Sequence, residues 1–164
     1  MANRAARSHG MSTRAGSKPP AALRFNAAVM EAMVAHLRAA APREGCGLLA
    51  TTRAATGTAV VRRFYPGTNL DASPTRYTMD PVEVMSAFID MEARGWELGA
   101  IVHSHPTTPA TPSPTDLREA YYPEALMIIV SLATEPATVR AWRIELTPAG
   151  PTITEAPIEI EPFG

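Results

Sequence analysis

The sequence predicts an α+β fold: one mixed β-sheet with two longer helices packed on it and a short helix after the strand that carries His103 and His105. Three observations lead there. Two stretches carry apolar residues at helical spacing, Val29, Met30, Met33, Val34 and Leu37 in one and Val84, Met85, Phe88, Ile89 and Met91 in the other. Residues 98–102 are an apolar run of strand length and 125–132 a second, broken only by Ser131, the pattern of buried strands. The remaining strand-like pieces are separated by clusters of Pro, Gly, Asn and Asp, and no segment repeats.

Taken in order, a strand around Leu23-Arg24-Phe25 opens the fold. Asn26 caps the first helix, because its side-chain oxygen accepts from the free N–H groups of a first turn. Pro42 ends that helix. His36 lies beside the apolar stripe and reads as a rim residue rather than a ligand. Residues 42–50 pass from loop into strand, and Thr56-Gly57 turns the chain into Val60 and Val61. Residues 66–78 contain Asn69, Asp71, Ser73 and Pro74 and read as a loop. Asp80-Pro81-Val82-Glu83 is a helix start, with an N-cap, Pro at N1 and Glu at N3, and Gly95 is its stop. A strand then runs into His103-Ser104-His105. A loop with Pro106, Pro109 and Pro112 follows, then a short helix from Pro114 to about Ala120, then the strand at 125–132. A strand at 139–146 pairs next, and Pro148-Ala149-Gly150 turns into two short strands ending at Ile158 and Ile160.

The chain has 164 residues, enough for one domain, expected at 23–164 after a disordered basic arm at 1–22. Met11 is an alternative start. The formal net charge of −1 gives no global basic field, so nucleic acid is not an expected partner. Charge is uneven locally. Arg4, Arg7, Arg14, Lys18 and Arg24 precede any acidic residue, while Glu155, Glu159 and Glu161 follow the last base, Arg143. The basic head could touch RNA or a membrane surface, but the plainer reading is a solvated tail. The one cysteine, Cys46, excludes an intramolecular disulfide and suits a reducing, cytoplasmic compartment. No apolar run nears 18 residues, so no membrane span is expected, and no signal-peptide core is present.

The chemistry concentrates at His103 and His105. Side chains two apart on a strand share a face, so this pair can chelate. Pro106 favours an extended backbone at His105 and carries the strand through the second ring. Asp116 supplies a third ligand from a separate element. Two imidazoles and a carboxylate suffice for a catalytic zinc ion with one open position. Such a site also needs a proton carrier off the metal, and Glu44, between Pro42-Arg43 and Gly45-Cys46-Gly47, is the best placed carboxylate. Spacing alone does not bring Glu44 to His103. Ser113 is placed to donate a hydrogen bond to a developing oxyanion. Plainer readings compete. His-x-His also occurs structurally, and Ser113-Pro114-Thr115-Asp116 is a good helix cap on its own terms. Capping and ligation are compatible for Asp116. Cys46, beside Leu48 and Leu49, reads as a buried thiol rather than a nucleophile.

These residues together resemble a known family. A glutamate, then His-Ser-His-Pro, then a serine after seven residues counted from the second histidine, then two more residues to an aspartate, is the pattern of the JAMM (MPN-plus) metallopeptidases. Here it is Glu44, His103-Ser104-His105-Pro106, Ser113 and Asp116, without departure in type or spacing. Residues 42–49, Thr68-Asn69 through Ser73-Pro74-Thr75 to Tyr77, and the helix at Asp80 are similar to small bacterial members, including those that process ubiquitin-like sulfur-carrier proteins. The resemblance covers about Leu23 to Ile160.

The resemblance implies the cytidine-deaminase-like MPN fold. It implies one zinc ion held by His103, His105 and Asp116, with Glu44 as general acid/base and Ser113 stabilising the tetrahedral intermediate. It implies hydrolysis of the peptide or isopeptide bond after the C-terminal Gly-Gly of a ubiquitin-like or sulfur-carrier protein, with the tail held by the 66–78 segment and Asn69 and Tyr77 as its contacts. Two other readings stand beside it: a zinc hydrolase of a small peptide or amide, and a non-catalytic scaffold, which complete ligands disfavour. A homo-oligomeric state is left open by the sequence.

Overall fold

The structure, a computed structural model, describes residues 18–162. Its elements are β1 (Ala22–Asn26), α1 (Ala27–Ala40), β2 (Cys46–Arg53), β3 (Thr58–Gly67), α2 (Pro81–Arg94), β4 (Glu97–His105), α3 (Pro114–Arg118), β5 (Leu126–Ser131), β6 (Thr138–Thr147), β7 (Gly150–Ala156) and β8 (Ile158–Glu161). The expected α+β class is the observed one. Most of the expected arm lies outside the described residues. Its last part is held by the domain: Pro20 is buried, its carbonyl accepts from Arg143 Nη2 at 3.0 Å, and Ala22 already belongs to β1.

All eight strands form one sheet in the order β7-β6-β5-β4-β2-β3-β1-β8. The β4–β5, β1–β3 and β1–β8 pairs are parallel and the others antiparallel. β7 and β8 are the two edges, yet Pro157 alone separates them in sequence. Successive Cα atoms are about 3.8 Å apart, so the edges must meet at that corner. The sheet therefore curls, and its concave side closes on α1. Leu23, Phe25, Leu49, Val61, Val102, Leu126, Ile128 and Ala156 pack there with Met33 and Leu37 of α1. The parallel β1–β8 pair also brings Arg24 to Glu159 at 3.0 Å, so the basic start and acidic end of the domain partly neutralise one another. The pair is exposed and adds little stability.

α2 covers the other face. Val84, Ala87, Phe88 and Met91 are buried against Leu48, Leu98 and Ile101. The expected face is corrected in part. Met85 is 37% and Ile89 59% exposed, because the buried set follows i, i+3, i+4, i+7 from Val84 and leaves these two on a flank. Asp80 caps α2 and Gly95 ends it with φ 70°, a left-handed conformation that suits glycine. Glu83 does not close a capping box. Its carboxylate accepts from the N–H and hydroxyl of Thr68 and ties α2 to the end of β3.

Candidate active site

Pairing between β2 and β4 sets the site. Cys46 lies opposite His103, and Leu48 opposite Ile101. Continuing this antiparallel register backwards brings Gly45 opposite Ser104 and Glu44 opposite His105, and Ser104 N–H donates to the Gly45 carbonyl at 3.0 Å as that register requires. Opposed residues in an antiparallel pair share a face. Glu44, His103 and His105 thus stand together on the α2 side, beyond the end of that helix. The step that spacing could not make is made by strand pairing.

The three expected ligands converge. His103 Nε2 lies 3.2 Å from Asp116 Oδ1. His105 Nε2 lies 3.1 Å from Asp116 Oδ2, and the two Nε2 atoms are 3.2 Å apart. A tetrahedral ion with bonds of about 2.0–2.1 Å separates its ligand atoms by roughly 3.3 Å. The trio therefore already has nearly the spacing a zinc ion asks for, and all three residues are buried. His105 Nδ1 is 2.7 Å from the Pro109 carbonyl, which can only accept, so Nδ1 carries a proton and Nε2 is the atom turned to the ligand position. The Pro-rich loop is itself fastened: Ser131 Oγ donates to the Thr108 carbonyl and Trp142 Nε1 to the Ala110 carbonyl.

Ser113 and Asp116 do form a capping box on α3. Ser113 Oγ accepts from Asp116 N–H, and Asp116 Oδ2 accepts from Ser113 N–H. Asp116 thus closes the helix cap and belongs to the trio that could hold a metal ion. Burial opposes its ionisation, but hydrogen bonds from His103, His105 and Ser113 N–H hold its carboxyl well below the usual carboxylate range. Burial likewise disfavours a charged His105, yet Asp116 and the Pro109 carbonyl raise its pKa above the ordinary value.

Glu44 is 4% exposed and its Oε2 has no partner among the described residues. Burial pushes its carboxyl up to about 8, and the Asp116 charge adds to this. Buried polar atoms are normally paired. A lone carboxyl oxygen beside a ligand trio fits a group that exchanges protons with something outside the chain. Its backbone is pinned on both sides: Glu44 N–H donates to the Ser73 carbonyl at 2.8 Å, and Asn69 Nδ2 donates to the Glu44 carbonyl at 3.0 Å.

Asn69, expected as a substrate contact, has its whole amide engaged within the chain. Its amide donates to the carbonyls of Glu44 and Arg76, and its oxygen accepts from the N–H groups of Asp71 and Thr78. Both donors and both lone pairs are used. Asn69 organises the 68–78 loop and seats Glu44 on it. Were Glu44 the proton carrier of a hydrolase, Asn69→Ala would leave metal content unchanged and lower kcat roughly 10-fold with KM little affected, since misplacing such a group acts on the chemical step. Steady-state kinetics check this, and a raised KM with unchanged kcat would restore a direct contact. Tyr77 stacks on His103, with ring centroids 5.0 Å apart and planes at 22°, and forms one wall of the site.

His36 is not a ligand. Its Nε2 lies 3.2 Å from the Cys46 carbonyl and 3.1 Å from that of Gly67, joining α1 to β2 and β3. Cys46 is fully buried, and burial pushes its thiol up to about 12, which fits an inert thiol. The sequence reading missed Ser73, Ser104, Pro109 and Trp142 as parts of the site's frame. Three of them act through backbone carbonyls or on them, which leaves no side-chain signature.

Fold and site together define a small α+β domain with a cation-ready His-His-Asp trio and a buried carboxyl beside it. The chain belongs to the Prok-JAB family, described as prokaryotic homologs of the JAB domain, which matches residues 26–145. It is 35% identical over 138 residues to the CysO-cysteine peptidase of Mycobacterium tuberculosis, covering 83% of this chain and 89% of that protein. It is 43% identical over 93 residues to a probable TtuB-protein conjugate cleaving protease of Thermus thermophilus, covering 56% of this chain and 59%, less than two thirds, of that protein. A solution structure of a Desulfitobacterium hafniense protein superposes with a TM-score of 0.74 at 37% identity, covering 85% of this chain and 92% of that one.

Proposed function

We propose that this chain is a zinc metallopeptidase that hydrolyses the peptide or isopeptide bond after the C-terminal Gly-Gly of a ubiquitin-like or sulfur-carrier protein. The observation that carries the reading is the convergence of His103, His105 and Asp116 at 3.1–3.2 Å on the strand face where Glu44 is buried. The peptidase and protease relatives named above, acting on CysO-cysteine and TtuB conjugates, support the substrate class.

His103, His105 and Asp116 would hold the zinc ion, which when bound polarises water and carbonyl groups. Glu44 takes up the proton of the attacking water and passes it to the leaving amine. Its burial keeps the carboxyl basic enough for this exchange near neutral pH. Ser113 has its oxygen engaged by Asp116 N–H, so its own O–H remains to donate to the developing oxyanion. Tyr77 fixes the His103 ring and bounds the passage beside it. The 68–78 loop, closed at its base by the Asn69–Met79 bridge, borders Glu44 and is the place for an extended tail.

A tail that passes this close to the ligands has no room for a β-carbon beside the scissile bond. Changing the last Gly of the carrier to Val is therefore expected to lower kcat/KM by at least ~10²-fold, whereas changing the residue after the cut has a much smaller effect, since steric rejection acts on the transition state. The test compares matched carriers that differ only at that glycine. Equal rates for Gly and Val would discard the carrier reading in favour of a zinc hydrolase of small peptides or amides. A scaffold role is disfavoured because every ligand residue is in place.

A further inference from the structure

Ser104 sits between the two ligand histidines but faces the opposite side of the sheet, fully buried. It does not touch the His-His-Asp trio. Its contact is with the neighbouring strand. Ser104 N–H donates to the Gly45 carbonyl at 3.0 Å, and Gly45 N–H donates to Ser104 Oγ at 2.8 Å. A regular ladder would use only main-chain atoms there. Here the second bond of the pair ends on a side-chain oxygen, so the entry of β2 is held against β4 by a serine hydroxyl. Gly45 is the residue after Glu44, and it has no slack. A Cβ on it would come within 2.8 Å of Leu37 Cδ2 and 3.1 Å of Ala40 Cβ, so α1 presses it from behind. The position of Glu44 is thus set from three sides, by Ser73 and Asn69 on its own N–H and carbonyl and by Ser104 through the next peptide.

We propose that Ser104 is a positioning residue of the reaction: its hydroxyl, by holding Gly45 N–H, fixes the Glu44 carboxyl opposite His105. The proposal rests on the function given above for Glu44. Ser and Thr carry the needed oxygen at Cβ, whereas Ala does not and Cys offers only a weak sulfur acceptor. The clamp explains a serine at a position whose side chain points away from the chemistry. It also ties the strand that carries His103 and His105 to the residue after Glu44.

The experiment compares wild type, Ser104→Ala, Ser104→Cys and Ser104→Thr, each zinc-loaded, on a carrier with one residue after Gly-Gly. Ser104→Ala is expected to keep its zinc and its KM and to lose kcat by about 10- to 100-fold, the scale of a displaced catalytic group. Ser104→Cys gives a similar loss if the Ala variant is poorly folded, and Ser104→Thr returns kcat to within about twofold of wild type. In a Glu44→Gln background Ser104→Ala should cost nothing further, because the group it positions is gone. An equal loss in that background, a loss of zinc, or wild-type kcat in both Ala and Cys variants overturns the proposal while the peptidase reading stands. A wild type that cleaves no carrier overturns the peptidase reading instead. The clamp is then judged by the carboxyl carbon resonance of Glu44 in metal-free protein, which must move in Ser104→Ala and not in Ser104→Thr; an unmoved resonance overturns it.

Discussion

Glu44→Gln should keep the zinc and lower kcat by at least ~10²-fold, the usual contribution of a general acid/base. The amide matches the carboxyl in shape but cannot carry its proton. Elemental analysis and turnover on the same sample separate the two properties, and near wild-type turnover would remove Glu44 from the mechanism. The substitution has an opposite effect on stability. Glu44 is buried and its pKa rises from 4.5 to about 8 on folding. The folded, metal-free protein therefore keeps a proton that the unfolded chain gives up. That contribution is complete below about pH 4.5 and is lost as the pH rises through about 8. Glu44→Gln has nothing to ionise, so without metal it should be more stable than wild type at pH 8–9, by on the order of a few kcal/mol, and melt higher, with the gap closing toward pH 5. Thermal melts of chelator-treated protein across that range check the sign. A gap that widened toward acid would contradict the burial of Glu44.

Removing a ligand should do more damage. His103→Ala and Asp116→Ala are expected to lose most of the bound metal, and activity with it, because two remaining ligands cannot hold a tetrahedral ion that normally has three protein ligands. Asp116→Ala should also cost stability in metal-free protein. It removes the side chain that accepts from Ser113 N–H and caps α3, an effect of about 1 kcal/mol for a cap. Elemental analysis checks the metal loss in both variants, and melts of metal-free protein check the cap: His103→Ala removes the ring on which Tyr77 stacks, whereas Asp116→Ala removes part of the α3 cap. Wild-type metal content in either variant would place the ion elsewhere.

Much of the fold was legible because its signals are local. Asn26, Asp80 and Gly95 mark helix ends by what their side chains or backbones can do, and all three act as read. The His103–His105 pair was legible because strand periodicity fixes which side chains share a face. Other features depend on partners far away in sequence. Nothing near Met85 or Ile89 says which flank of α2 the sheet will cover. Nothing near Glu44 says that β2 pairs with β4, so its approach to His105 came from the family resemblance and is explained only by the register from Cys46–His103. Asn69 enters as a substrate contact only through the family resemblance of the 66–78 segment. Its four hydrogen bonds, one of them to Glu44, could be counted only once the loop had closed. Ser104 belongs to the His-Ser-His-Pro motif, but strand alternation turns it away from His103 and His105, and no local signal ties it to Gly45.

The most direct measurement is the intact mass of a ubiquitin-like carrier that has one residue after its Gly-Gly, incubated with zinc-loaded wild-type protein. The account predicts a product lighter by that residue (with one water added across the bond), ending in Gly-Gly, formed by wild type and not by Asp116→Ala. An unchanged mass, or cleavage at any other bond, would contradict it.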